Sequence, residues 1–147
     1  MFAISAITRE NPEATEQFRV LGGFKILLMS LQNRIQEKDL VLKGLSYLSD
    51  LSTLEMPSPV IDGDWCNLLK TESLYEAKKD LDTIDRLARI LADFNAHCGG
   101  DLARIGFIQK WLKSARFQLW KLEDESDDFK SVIDKINQLL ATLKEEL

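Results

Sequence analysis

Histidine occurs once in this chain, at His97. A lone imidazole beside one thiol, Cys98, cannot make a metal site without further ligands, so no metal is expected. His97 reads instead as a helix-end residue near the negative end of a helix dipole. Three prolines and seven glycines are few, as suits a helical chain. The glycine pairs at 22–23 and 99–100 lack the strand-loop-helix setting and the spacing of a phosphate loop, and no cofactor is expected. No apolar run approaches the ~20 residues that a membrane span needs. An excess of cations is missing too: 24 acidic against 19 basic residues leave a net charge of −5, which disfavours a nucleic-acid partner. Met1 leads straight into an amphipathic segment, without the basic region and apolar run of a secretory leader. The acidic cluster at 123–128 is one solvated turn. Nothing places two of its carboxylates in a cleft that would separate their pKa values for acid–base work. No catalytic residue stands out, and the chain is not expected to be an enzyme.

What is present is helical periodicity. With 147 residues, 45% apolar and 29% charged, the chain can form one domain or a few stacked repeats. Asn11 is placed to cap a helix in which Pro12 occupies the first turn, where its missing donor costs nothing. Glu13 and Glu16 suit the positive end of that helix's dipole. Phe18 and Leu21 form its short apolar stripe, and Gly22-Gly23 stops it. A second helix carries Phe24, Leu27, Leu28 and Leu31 on one face. A third, over 37–52, turns Leu40, Val41, Leu45, Leu48 and Leu51 inward, with Gly44 at a close approach. A short helix, a Gly-Gly corner, a medium helix and a longer one make the unit of an armadillo-type solenoid.

The remaining segments extend this reading. Residues 2–9 read as a helix end with Phe2, Ile4 and Ile7 apolar and no N-cap. The expectation is the last helix of a preceding repeat, with the chain the C-terminal part of a longer protein or a short isoform of it. Its bare face should be partly exposed or buried by self-association. The Pro- and Gly-containing stretch 53–63 is a loop. Beyond it, the spacing predicts helices over 64–70, 74–97, 101–121 and 128–146. Ser73 and Glu76 form a capping box at the start of the second of these, and Asp101 caps the third. Trp65, Leu68 and Leu69 face inward on the first. The stripe of the second is Leu81, Ile84, Leu87, Leu91, Phe94 and Cys98. That of the third runs from Leu102 to Leu122, widened by Phe107, Trp111 and Trp120, with both tryptophans read as core. The organisation is thus 1–52 repeats, 53–63 loop, and 64–147 a C-terminal helical region packed on the repeats, all-α throughout.

The two cysteines allow two outcomes. If 74–97 is one helix of about 33 Å folded as a simple hairpin on Cys66, its far end lies beyond the ~7 Å that a bridge tolerates. That geometry favours two free, buried thiols over a Cys66–Cys98 disulfide. The chain's last residues, Lys144, Glu145, Glu146 and Leu147, are one carboxylate-conserving change from the Lys-Asp-Glu-Leu retrieval signal of the endoplasmic reticulum.

The segment FAISAITRENPEATEQFRVLGGFKILLMSLQ, with Phe18, Leu21, Gly22 and Gly23 in a Phe-x-x-Leu-Gly-Gly pattern, resembles the repeat of the Fes/Sil family, armadillo-like exchange factors for seventy-kilodalton heat-shock chaperones. The Asp64-Trp65-Cys66 segment, the acidic turn and the Leu-rich end LKEEL resemble the C-terminal part of its lumenal branch, which acts on the chaperone BiP. The resemblance implies binding to the chaperone's nucleotide-binding domain, promotion of ADP release, and residence in the lumen of the endoplasmic reticulum. A helical-repeat adaptor without exchange activity and the cytosolic factor of the same family are the alternatives, and the tail speaks against the latter. In an armadillo unit the third helix lines the concave groove, which makes the outward set Lys38, Asp39, Lys43, Tyr47 and Asp50 the expected partner contacts.

Overall fold

The structure, a computed structural model, describes residues 11–52, 61–76, 80–121 and 127–144. All of its regular elements are helical, and the described residues include no strand. The first three helices of the described residues, α1 (Pro12–Val20), α2 (Gly23–Asn33) and α3 (Lys38–Ser52), lie where the spacing put them. Their boundaries have local causes. The Asn11 side chain accepts from the Ala14 amide at 3.1 Å, and Pro12 fills the first helical position. Gly22 sits at φ 77°, a left-handed conformation that reverses the chain without the penalty a Cβ would impose. Gly23 follows with its Cα against the Phe18 ring; a Cβ there would lie 2.2 Å from a ring carbon. Leu21, expected beside Phe18 in the stripe, is instead 81% exposed.

The C-terminal region departs from the expected segmentation. Helix α4 spans Gly63–Leu69, capped by Asp62, whose carboxylate accepts from the amides of Asp64 and Trp65. The single helix expected over 74–97 is three pieces. A 3₁₀ turn covers Glu72–Glu76, α5 runs Leu81–Asn95, and a second 3₁₀ turn covers Ala96–Cys98. Ser73 and Glu76 therefore lie within a 3₁₀ turn rather than at the start of a long helix. The true cap is Asp80, which accepts from the Thr83 amide at 2.7 Å. The early turn is held back by Tyr75. Its hydroxyl donates to the Leu69 carbonyl at 2.7 Å, and its ring packs on Phe107 and Trp111. Burial pushes the Tyr75 phenol well above its ordinary pKa. Residues 101–121 also divide, into a 3₁₀ turn at Leu102–Arg104 and α6 at Gly106–Trp120. Asp101 makes no side-chain cap there. Helix α7 spans Asp127–Lys144.

Helix α5 is the centre of the fold. It packs against α3 on one side and against α6 and α7 on the other, while α6 and α7 pair as a hairpin. One continuous core runs from Phe24 in α2 to Leu140 in α7, through Leu45, Leu48, Trp65, Leu87, Phe94 and Leu112. Ser49, on α3, is buried and donates to the Asp93 carboxylate on α5. At Gly44 α3 approaches α2 closely, since a Cβ there would lie 2.4 Å from a Leu31 methyl. Trp111 joins the core, but Trp120 is 62% exposed, contrary to its reading as core. The α6 stripe ends at Leu119, so Trp120 is carried one position round onto the outer face.

The expectation of free thiols is overturned. Cys66 and Cys98 form a disulfide with Cα atoms 5.7 Å apart. One unbroken helix from 74 would have carried Cys98 out of reach of Cys66. Because the chain turns twice before α5 begins, the far end of α5 returns to α4, and the 3₁₀ turn bearing Cys98 packs directly on it. Residues 2–9 and 53–60, including Phe2, Ile4 and Ile7, lie outside the described residues, as do Leu122 and the acidic cluster's 123–126.

Candidate partner-binding surface

Helix α3 was expected to present five residues to a partner, and the structure separates them. Asp39, Lys43 and Asp50 are exposed and Lys38 is half-buried. Tyr47 is 1% exposed, with its ring stacked on Phe24 at a centroid distance of 6.3 Å. It cannot be a surface contact. The reason is two-sided cover: α2 and α5 both pack on α3, and a helix sandwiched in this way exposes only a narrow strip. Positions 41, 42, 44, 45, 47, 48, 49 and 51 are all buried, a wider arc than the Leu40–Leu51 stripe implied.

The strip that remains borders an open, polar groove of about 890 Å³. Lys38, Asp39 and Lys43 form one wall, and Glu76 from the 3₁₀ turn with Asp80 and Thr83 from the start of α5 line the other. Asp50 lies further along α3 and is not part of it. The α3 wall carries both signs of charge, and the charged residues on the facing wall, Glu76 and Asp80, are acidic. The groove can exchange salt bridges with a mixed-charge protein surface, but it is too open and too polar to enclose a small ligand. The α5 wall escaped the sequence reading because Asp80 was placed inside a helix rather than at its cap.

Other candidates are resolved more simply. His97 is exposed in the 3₁₀ turn before Gly99. Among the described residues no group of three or more His, Cys, Asp or Glu could hold a metal ion, and none of the described helices is long and apolar enough to cross a membrane. Of the four tail residues, Lys144 ends α7; Glu145, Glu146 and Leu147 lie outside the described residues. No family model, no curated protein and no solved structure matches the chain.

Proposed function

We propose that this chain is the C-terminal part of a lumenal nucleotide exchange factor of the Fes/Sil type, acting on a BiP-type chaperone, and that α1–α3 is one unit of an armadillo-like solenoid. The observation that carries the reading is the corner at Gly22-Gly23. Within the Phe-x-x-Leu-Gly-Gly pattern, Gly22 supplies the left-handed turn, and Gly23 and Phe18 supply the close contact beneath it. Leu21 is largely exposed. Together with exposed Val20, Ile26 and Met29, it suits a face covered by a neighbouring repeat, since repeats bury their apolar faces against one another. The disulfide supports an oxidising compartment, where such bonds persist.

The reading needs no catalytic residue and no cofactor. An exchange factor grips one lobe of the chaperone's nucleotide-binding domain and stabilises the rotated, open form. ADP then loses contacts by the same coupling free energy by which bound nucleotide weakens the factor. The α3–α5 groove, with Lys38, Asp39 and Lys43, is the surface we assign to that grip, and Lys144–Leu147 is the retrieval address. The test is release of labelled ADP from BiP, with binding of the chain to BiP followed in parallel. Binding with faster release supports exchange. Binding at an unchanged release rate makes the protein an adaptor, and no binding removes the proposal.

A further inference from the structure

A second surface lies on the opposite side of α5, between α6 and α7, and has no part in the reading above. Its floor is apolar and open: Phe117 and Trp120 are 55% and 62% exposed, and Ile133 of α7 lies beside them. Lys113, Arg116 and Asn137 complete a groove of about 380 Å³. Lys121 stands over the Phe117 ring, its Nζ 4.4 Å from the centroid. The Arg116 guanidinium donates to the Asn137 side-chain carbonyl at 3.2 Å, which fixes its charge at the rim. Lys130 is exposed on α7 three residues before Ile133, on the same helix face.

The charge here runs against that of the protein. The chain carries −5 overall, yet between Asp101 and Glu123 it has Arg104, Lys110, Lys113, Arg116 and Lys121 and no carboxylate at all. Among the described residues no acidic side chain lines the groove. The acidic group on the described part of α7 closest in sequence to the groove, Asp134, is exposed one position round from Ile133, about 100° away on the helix. Two exposed aromatic rings framed by cations attract an anionic ligand and also offer it area to bury.

We propose that the α6–α7 groove is a docking site for an acidic peptide segment, with one apolar side chain seated on Phe117 and Trp120 and flanking carboxylates paired with Lys113, Arg116 and Lys121. The volume suits one or two side chains, being near the lower limit of ligand pockets. A nucleic acid fits less well. Its extended phosphate backbone would run beyond one short cationic face onto a negatively charged protein, whereas a few carboxylates feel only the field within a Debye length of about 8 Å. The proposal does not rest on the exchange-factor reading.

The test is an array of labelled nine-residue peptides with a central Leu, Ile, Phe or Trp between aspartates and glutamates. Two control sets replace the acids with lysine or the central residue with serine. Fluorescence anisotropy with the full chain should show at least one acidic, apolar-centred peptide binding about tenfold or more tighter than both of its controls, and weakening as salt rises. Trp120→Ala and Lys113→Glu should each reduce that binding several-fold or more with the melting temperature unchanged, since both side chains are on the surface. Binding by none of the array, equal binding of the controls, or unaltered binding by both variants overturns the proposal. So does tighter binding of a labelled single-stranded oligonucleotide. A mass that doubles with concentration and returns to monomer in Trp120→Ala also overturns it, because a second copy would then occupy the groove.

Discussion

Breaking the Cys66–Cys98 disulfide measures how much the turn at the end of α5 depends on it. The bridge closes a loop of 32 residues. In the chain-entropy treatment, that constraint removes about 12 cal/mol/K from the unfolded ensemble, or about 3.7 kcal/mol at 25 °C. A domain of this size stands only ~5–15 kcal/mol above its unfolded state, so the bridge is a large share of the total. The variant Cys66→Ala with Cys98→Ala keeps both sites apolar and small, which isolates the loop effect from the burial of new polar atoms. With a urea dependence of about 2 kcal/mol per molar, its unfolding midpoint should fall by about 2 M relative to the oxidised protein. Reduction of the wild type should shift it by a similar amount. Mass mapping of the oxidised protein should recover a single cross-linked pair of peptides bearing Cys66 and Cys98. The reasoning fails if native protein from an oxidising preparation alkylates at both thiols, or if oxidised and reduced forms unfold at one midpoint.

Three further outcomes are expected. Gly44→Ala should destabilise by about 1–3 kcal/mol, read as a lower melting temperature, because a Cβ would lie 2.4 Å from a methyl of fully buried Leu31; that cost exceeds the ~1 kcal/mol alanine gains in a helix interior, so a rise in stability would refute the close packing of α2 on α3. If the chain is an exchange factor as proposed, Lys43→Glu in the α3–α5 groove should slow the ADP release that the chain stimulates from BiP without lowering stability, whereas an unchanged rate would exclude this wall as the contact. Deleting Lys144–Leu147 should leave folding nearly intact, since chain ends are the least tied down; in a cell, behind a signal peptide, it should send the protein to the medium, and retention would refute the tail as an address.

The helices of the N-terminal half were legible because each boundary has a local cause. Asn11, Pro12 and Gly22 act on backbone groups within a turn of themselves, and such effects are written in adjacent residues. The errors arose where the outcome depends on what arrives from far along the chain. Tyr47 looked outward from one helix's stripe, but α2 covers that side, with Phe24 stacked on its ring. The bridge between Cys66 and Cys98 looked too long because the break before Asp80 was missed, and Tyr75 holds that break by reaching back to the Leu69 carbonyl. Trp120 was read as core, but it sits one position round from buried Leu119 and is exposed. The basic face of α6 is readable in the sequence, since a stretch of that length without one carboxylate stands out in an acidic chain. The α3 groove was half legible: its lysines were found, while its facing wall depended on where α5 begins.

The central position of α5 has a consequence for how the molecule could be divided. The stretch between Ser52 and Gly63 is the natural place to cut the gene, yet neither product would own a complete interior. The first piece would keep α3 with its α5-facing side uncovered, and the second would keep α5 with Asp93 stripped of Ser49. Each half would be the other's missing wall. Co-expressed halves should therefore reassemble without a tether, in the manner of a split reporter, and the surface that joins them would be a piece of hydrophobic interior rather than a designed contact.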